Sequence, residues 1–154
     1  RSAADYAGAP AGQLEEDIRS TGFFNNKARN IRGACREIVD RHGGRVPMEM
    51  DILVTLPGIG RKTANVILGN SGHPPGGVVV DTHVGRVSRR LGWTANDDPV
   101  KVEQDLNRLI PRKDWVRVGP ELILHGRRLC EARKPKCREC FLADLCPSAG
   151  RVSK

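Results

Sequence analysis

Residues 56–65 of this chain read Leu56-Pro57-Gly58-Ile59-Gly60-Arg61-Lys62-Thr63-Ala64-Asn65. Gly58 and Gly60 can adopt positive φ angles at little cost, and they let a ligand approach the backbone closely. Successive N–H groups in such a turn form an anion-binding concavity, and the N-terminus of a following helix adds unpaired donors. Apolar residues recur at helical spacing after the turn, which predicts an amphipathic helix over residues 61–70.

A helix is also expected before the turn, because residues 48–54 have room for one after Pro47. The predicted unit is therefore a helix, a glycine hairpin and a second helix. A proline–glycine turn between packed helices has the same local sequence, so the turn alone does not establish nucleic-acid binding. The adjacent cations Arg61 and Lys62 favour it, as do the formal net charge of +8 and the pI of about 9.7.

Lys62 would lie in the first turn of the second helix. The positive field of a helix N-terminus favours the neutral form of an amine, whereas bound phosphates would oppose that effect. A neutral lysine can attack a sugar aldehyde and form a Schiff base. The ordinary alternative is a solvated surface charge, and the neighbouring residues leave both interpretations open.

Asp81 follows three consecutive valines and precedes a helical pattern of apolar residues, which is the position of an N-cap. A carboxylate held by backbone N–H groups is also well oriented for chemistry. It can stabilise positive charge that develops on a sugar, or accept a proton from an amine. The two roles are compatible with each other.

Four cysteines lie close together near the C-terminus with the spacing C-x6-C-x2-C-x5-C, at Cys130, Cys137, Cys140 and Cys146. A compact set of four thiolates suits a tetrahedral zinc ion or an iron–sulfur cluster, and the spacing alone does not separate the two. Metal ligation is favoured over disulfides because the cysteines are so closely grouped and no secretory segment is visible. Cys35 stands apart on a helical pattern and is predicted to be a buried thiol.

Taken together and in this order, these motifs resemble the endonuclease III family of helix-hairpin-helix DNA glycosylases. The resemblance extends from Leu14 to Cys146. Besides the hairpin and the cysteine loop, it rests on Gly22-Phe23-Phe24-Asn25-Asn26-Lys27-Ala28, Val80-Asp81-Thr82-His83 and Leu122-Ile123-Leu124-His125-Gly126-Arg127. Several motifs in one order make the resemblance far more specific than any single motif.

The resemblance implies a bifunctional enzyme of base-excision DNA repair, which removes oxidised pyrimidines and then cleaves the abasic site by β-elimination. It implies that Lys62 is the Schiff-base nucleophile, that Asp81 is the catalytic carboxylate, and that the four cysteines hold a 4Fe-4S cluster. Adenine glycosylases of the superfamily typically lack this lysine, so Lys62 favours the lyase-competent branch. Two alternatives stay open: a non-catalytic DNA-binding fragment, and a related glycosylase with a different base specificity.

Further contacts to DNA are expected at the hairpin, at the cysteine loop and at the junction of two lobes. In the family, an apolar wedge occupies the position of Phe23, where a core phenylalanine is the alternative. His83 could meet DNA or simply be a polar residue in a first helical turn, and His125 is predicted to be a packing histidine with its hydrogen bonds satisfied. The full set of predicted contacts is Phe23, Leu56, Gly58, Ile59, Gly60, Arg61, Thr63, His83, Arg133, Lys134 and Lys136. For the three cations of the cysteine loop, a solvated loop is the alternative.

The predicted fold is all-α, with a helical lobe over residues 1–76 that carries the helix-hairpin-helix motif and a cluster lobe over residues 77–154. The Gly- and Pro-rich stretch 69–77 is expected to join them. Besides the two hairpin helices, helices are predicted at Gln13–Ser20, Asn26–His42, Asp81–Leu91, Pro99–Ile110 and Pro120–Leu129, the last separated by Pro120 from a turn around Lys113–Val118.

The expected partner is double-stranded DNA with damaged bases or abasic sites, bound by a monomer. An aromatic content of 4% argues against a platform that stacks single-stranded bases. No apolar run approaches a membrane span, so a cytoplasmic, nucleoid-associated protein is expected. The N-terminal helices typical of the family have no counterpart here, and the resemblance therefore predicts a fragment or a shortened form.

Overall fold

The computed structural model of the chain describes residues 1–151 and contains no β-strand in that range. The all-α prediction is confirmed. Eight α-helices occur in the described residues: α1 Ala3–Ala7, α2 Gln13–Asp17, α3 Phe24–His42, α4 Met50–Leu53, α5 Arg61–Asn70, α6 Thr82–Arg90, α7 Pro99–Leu109 and α8 Trp115–Arg128. Short 3₁₀ turns lie at Arg19–Thr21, Arg112–Asp114, Cys137–Glu139 and Ala143–Leu145. Within residues 1–151, no helix is both long and apolar enough to cross a membrane.

The chain forms two compact units, of which the first comprises Arg1–Leu68. The long helix α3 is its centre, and both α1 and α2 pack against it. α3 ends at a left-handed Gly43, and the following N–H of Gly44 bonds the carbonyl of Ile38 at 2.9 Å. The buried core of this unit is formed by α3 and the helix-hairpin-helix motif, through Ala34, Ile38, Leu53, Leu56, Ala64 and Leu68.

The second unit begins at Gly69 and has a core of its own. α6 packs against α8 and, to a lesser extent, against α7. Its fully or nearly fully buried apolar residues are Val78, Val80, Val84, Val87, Val102, Leu106 and Leu122. Val78 is not part of a strand; its N–H donates to the side-chain oxygen of Asn107 at 2.9 Å, so α7 anchors the extended segment that leads into α6.

The predicted helix start at Pro120 is wrong, because α8 begins at Trp115 and continues through the proline. The turn is instead the 3₁₀ segment Arg112–Asp114. Proline in a helix interior clashes with the preceding residue and removes one hydrogen bond. The preceding residue is Gly119, which has no Cβ to clash, and the carbonyl that loses its partner belongs to the exposed Val116.

The other predicted boundaries differ by smaller amounts. α2 ends at Asp17, and residues 19–21 form a 3₁₀ turn, whereas a helix to Ser20 was expected. α3 starts at Phe24, two residues before the prediction. α7 begins as predicted at Pro99, with the Asp98 carboxylate accepting from two backbone N–H groups at 3.0 Å. Cys35, which was predicted to be a buried thiol, is only half-buried.

Candidate functional site

One backbone hydrogen bond closes the hairpin between α4 and α5, and a second begins α5. The N–H of Ile59 donates to the carbonyl of Leu56 at 3.1 Å, and the N–H of Ala64 donates to the carbonyl of Gly60 at 3.0 Å. Leu56 is buried and anchors the start of the turn in the core. Gly58 has a φ of +74°, a conformation that favours glycine there.

The hairpin rests on α3. A Cβ added at Gly33 would lie 3.3 Å from the ring of Pro57, and a Cβ added at Gly58 would lie 2.6 Å from two side-chain atoms of Asn30. A side chain at position 58 would therefore force Asn30 to move, whereas one at position 33 would make only a tight contact with Pro57. These contacts hold the turn at a fixed position on α3.

Gly60 does not use the conformational freedom of glycine, because its φ is not positive. A Cβ at this position would also meet no atom of residues 1–151 within 4 Å. Neither the backbone conformation nor the packing of the protein itself requires glycine at position 60. The open space beside Gly60 leaves the N-terminus of α5 accessible to a ligand.

Lys62 is exposed in the first turn of α5, one residue after Arg61 and one before the exposed Thr63. No group of residues 1–151 forms a hydrogen bond or an ion pair with the Lys62 ammonium, in contrast to Arg61, which has a partner. The amine that sequence analysis singled out is thus available to solvent and to a ligand.

Asp81 is the N-cap of α6, which confirms the structural role predicted for it. Its Oδ1 accepts hydrogen bonds from the N–H groups of His83 and Val84, both at 2.8 Å. No residue in the described part of the chain donates to Oδ2. One oxygen therefore fixes the carboxylate, and the other is left to interact with a ligand.

His83 is held in place rather than free in solution. It is half-buried, and its Nδ1 lies 3.1 Å from Nη2 of Arg86. A Cβ on Gly126 would come within 3.2 Å of the His83 ring and 3.1 Å of Arg86 Nη2, so glycine at this point of α8 lets both side chains pack beneath it.

The four predicted metal ligands line one cavity and form no disulfides. Apolar side chains make up most of the remaining wall, including Val87, Leu91, Leu129 and Leu142. In residues 1–151, no three His, Cys, Asp or Glu side chains are grouped so as to hold a single metal ion. Four thiols around a common apolar cavity remain a coherent donor set for a larger thiolate-ligated group.

Two residues that sequence reasoning missed hold the start of the cysteine loop. Arg86 donates to the carbonyls of Gly126 and Cys130 at 2.9 and 3.1 Å. Arg90, one turn later on α6, donates to the carbonyls of Glu131 and Ala132, both at 2.7 Å, and to Cys130 Sγ at 3.2 Å. The only sequence signal is the four-residue spacing of the two arginines, and basic residues are common near any helix C-terminus.

The cations of the cysteine loop differ in their surroundings. Lys136 pairs with Glu131 at 3.4 Å, whereas Arg133 and Lys134 are exposed and form no ion pair with residues 1–151. Together with Arg138, which the sequence analysis did not single out, they border an open groove of about 550 Å³. The loop therefore presents positive charge along one groove.

The surroundings of Phe23 and of His125 each contradict one interpretation made from the sequence. Phe23 is 86% exposed, so the core interpretation is wrong, and its φ of +49° is the single positive value among the non-glycine residues described. The left-handed conformation costs an ordinary residue about 1 kcal/mol or more. His125 is not fully satisfied: its Nδ1 is buried without a partner in the described residues, and burial lowers its pKa.

The comparisons agree with this geometry. The sequence profile described as "HhH-GPD superfamily base excision DNA repair protein" matches residues 1–112. The endonuclease III of Synechocystis sp. is 56% identical over 137 residues, which are 89% of this chain and 63% of the relative. Two solved structures, of a non-covalent endonuclease III–DNA complex and of a trapped endonuclease III–DNA covalent intermediate, each align with a TM-score of 0.90 and 42% identity.

Both alignments cover 98% of this chain and 71% of the solved chain. The chain thus spans roughly two thirds of the length of the relatives it matches. The family profile covers well over half of the chain, and the fold is that of the solved endonuclease III structures. The chain belongs to the helix-hairpin-helix superfamily of base-excision DNA repair proteins and, within it, to the endonuclease III family.

Proposed function

We propose that this chain is a DNA glycosylase and abasic-site lyase that removes oxidised pyrimidines from double-stranded DNA. The observation that carries the proposal is the unpaired ammonium of Lys62, exposed at the N-terminus of α5 beside the open backbone of Gly60. A relative of the same fold has been trapped as a covalent intermediate with DNA. A free lysine beside a hairpin suited to phosphate binding supplies the nucleophile that such an intermediate needs.

In the proposed reaction, the target nucleotide is flipped out of the duplex and Lys62 acts on its sugar. The lone pair of Nζ forms a bond to C1′, the glycosidic bond breaks, and the base departs with the bonding electrons and takes up a proton. The sugar ring opens to a protonated imine. Loss of a proton from C2′ then expels the 3′ phosphate, which breaks the strand.

Asp81 assists the first step. Its Oδ1 is engaged by two backbone N–H groups, which fixes the orientation of the carboxylate while Oδ2 stays available. A fixed negative charge stabilises the positive charge that develops on the sugar as the base leaves.

The backbone around the hairpin binds the DNA phosphates. Gly58 has a positive φ, and a Cβ at Gly60 would meet no atom of residues 1–151 within 4 Å, which supports an approach of phosphate to the backbone there. Phosphate contacts of this kind set position rather than sequence. The wedge is Phe23, whose exposed ring fills the space of the extruded nucleotide. The remaining proposed contacts are Leu56, Ile59, Gly60, Arg61, Thr63, His83, Arg133, Lys134 and Lys136.

The four cysteines hold a 4Fe-4S cluster in this proposal. The donor set suits it, because four thiols line one largely apolar cavity and the guanidinium of Arg90 offsets the negative charge of thiolate ligands. When bound, the cluster would cross-link Cys130, Cys137, Cys140 and Cys146 and so fix the shape of the cysteine loop. A hydrogen bond of 2.9 Å from the N–H of Lys136 to the carbonyl of Leu129 already joins the two ends of segment 129–136.

The proposed organisation is a helix-hairpin-helix lobe over residues 1–76 and a cluster lobe over residues 77–154. One copy of the chain acts on one lesion in chromosomal DNA, in the nucleoid of the cytoplasm. The net charge of +8 supports attraction to the duplex.

Borohydride trapping on a duplex with one abasic site tests the enzyme. The wild-type protein should form a covalent adduct, and Lys62→Ala should not. Lys101→Ala is the matched control, since Lys101 is an equally exposed lysine on α7 outside the proposed site. Absence of the wild-type adduct with DNA binding intact would contradict the proposal and favour a non-catalytic DNA-binding protein. Adducts on duplexes with different damaged bases then report the base specificity.

Metal analysis tests the cofactor independently. Iron and acid-labile sulfide in equal amounts, together with broad visible absorbance, are expected for the purified protein. Stoichiometric zinc without iron would overturn the cluster while leaving the trapping experiment unaffected.

A further inference from the structure

We infer that Arg90 is a positioning residue for the cluster, which donates an N–H···S hydrogen bond to Cys130 and thereby raises the reduction potential of the bound group. The inference rests on the proposed 4Fe-4S cluster. It concerns a residue on α6 that lies outside the cysteine loop. The observation that carries it is the distance of 3.2 Å between Nη1 of Arg90 and Sγ of Cys130.

The guanidinium of Arg90 is fixed in this position by other bonds. Nη1 also donates to the carbonyl of Glu131, and Nη2 donates to the carbonyl of Ala132, both at 2.7 Å. A planar guanidinium anchored at two of its nitrogens loses little further entropy when it bonds a third acceptor. These two bonds therefore orient the guanidinium of Arg90 toward the sulfur of Cys130.

The other polar contacts to the cysteine sulfurs are of a different kind. Cys146 Sγ donates to the Arg90 carbonyl at 3.3 Å, a bond that requires the thiol hydrogen and is lost when sulfur becomes a metal-bound thiolate. His125 Nε2 lies 3.7 Å from Cys140 Sγ, at the long end of the range for sulfur, and donates in only one tautomer. The Arg90 bond to Cys130 persists after deprotonation and becomes charge-assisted.

Donors to ligand sulfurs act on the potential in a known direction. A hydrogen bond and a positive charge at the sulfur stabilise the reduced state, which carries one more negative charge, more than the oxidised state. Removal of Arg90 should therefore make the potential more negative. In the measurement the electrode supplies the single electron, and no covalent bond forms or breaks.

Arg86 provides a matched control on the same helix. Its Nη2 and Nε donate to the Cys130 carbonyl at 3.1 and 3.3 Å, but it forms no bond to any of the four sulfurs. It carries the same charge as Arg90, and both arginines donate to the Cys130 carbonyl. Only Arg90 also donates to the Cys130 sulfur, so a larger change of potential in its variant is the result expected from that contact.

The experiment compares Arg90→Gln and Arg86→Gln with the wild-type protein, after iron and sulfide analysis of each, by voltammetry of the adsorbed protein. We expect a clearly more negative potential for Arg90→Gln and a much smaller shift for Arg86→Gln. Equal shifts, or no shift at Arg90→Gln, would overturn the inference. Where Arg90→Gln does not load iron, Arg90→Lys and Arg86→Lys decide the same question, with equal potentials again counting against it.

The metal analysis separates this inference from the proposed cofactor. A wild-type protein without iron and sulfide disproves the cluster, and the role of Arg90 with it. A loaded protein whose potential does not respond to Arg90 disproves the role of Arg90 alone.

Discussion

Asn30 on α3 occupies the space into which any side chain at Gly58 would project, with its Cβ and Nδ2 2.6 Å from the position of that missing Cβ. Gly58 also has a φ of +74°. We therefore expect Gly58→Ala to lower the free energy of unfolding by more than the 1 kcal/mol or so that a left-handed alanine costs, because Asn30 must move as well. Urea denaturation measures the loss. A change smaller than about 0.5 kcal/mol would contradict the close packing of Gly58 against Asn30 of α3.

Gly60→Ala, unlike Gly58→Ala, should not lower the free energy of unfolding. Its φ is not positive and a Cβ there meets nothing within 4 Å, so the free energy of unfolding should stay equal or rise by about 0.5 kcal/mol. Affinity for abasic-site DNA should nonetheless fall, because the new methyl group occupies the space left for a phosphate. Undiminished affinity in a binding titration would show that DNA does not approach Gly60.

The N-cap and the proposed catalytic role of Asp81 can be separated by two substitutions. Asn at a cap position can still accept the bonds from His83 and Val84, so Asp81→Asn should leave stability nearly unchanged. Asp81→Ala should lose the cap and about 1 kcal/mol. Both should lose base excision in single-turnover assays, since neither has a carboxylate. Full activity of the stable Asp81→Asn would show that the carboxylate acts only as a cap.

Ser88 is fully buried in α6, and its hydroxyl has no hydrogen-bond partner within residues 1–151. A buried polar group without a partner is destabilising, so Ser88→Ala should be neutral or should raise the free energy of unfolding by up to about 1 kcal/mol. Val87→Ala next to it removes buried methyl groups and should cost roughly 2 kcal/mol. A loss of stability in Ser88→Ala would indicate that the hydroxyl is bonded after all.

The features that were predictable from sequence are those that depend on neighbouring residues. The caps at Asp81 and Asp98 follow from residue types at the start of an apolar pattern, and the hairpin follows from a proline–glycine pair between two such patterns. The order of these motifs along the chain is specific enough to indicate the family, although each motif alone is not.

The features that were missed depend on residues far apart in the chain. Nothing near Arg90 predicts its bonds to residues 130–132, and nothing near Gly58 predicts the proximity of Asn30. The continuation of α8 through Pro120 depends partly on Gly119, whose missing Cβ relieves the clash that normally ends a helix there. The first two features thus depend on residues distant in the chain, whereas the third depends on a glycine directly before the proline.

A bidentate ion pair between Glu15 and Arg32 joins α2 to α3, with N–O distances of 3.2 and 3.0 Å. The hydrogen bond from Arg32 holds the pKa of Glu15 below its ordinary value of 4.5. A carboxyl group whose pKa is lower in the folded state stabilises the fold at pH values above its unfolded pKa. That contribution is lost as pH falls through the folded pKa.

Glu15→Gln should therefore reduce the free energy of unfolding at neutral pH, and the deficit relative to the wild type should shrink as pH falls below about 4.5. Urea denaturation of both proteins at several pH values measures it. Glu16→Gln is the control, because the one ion pair of Glu16 within residues 1–151 is an exposed i,i+3 pair with Arg19. A Glu15→Gln deficit that stays constant through this pH range would mean that Arg32 does not stabilise the charged form of Glu15. The burial of Leu14 and the ion pair between Arg1 and Asp17 would then remain as contacts that anchor α2.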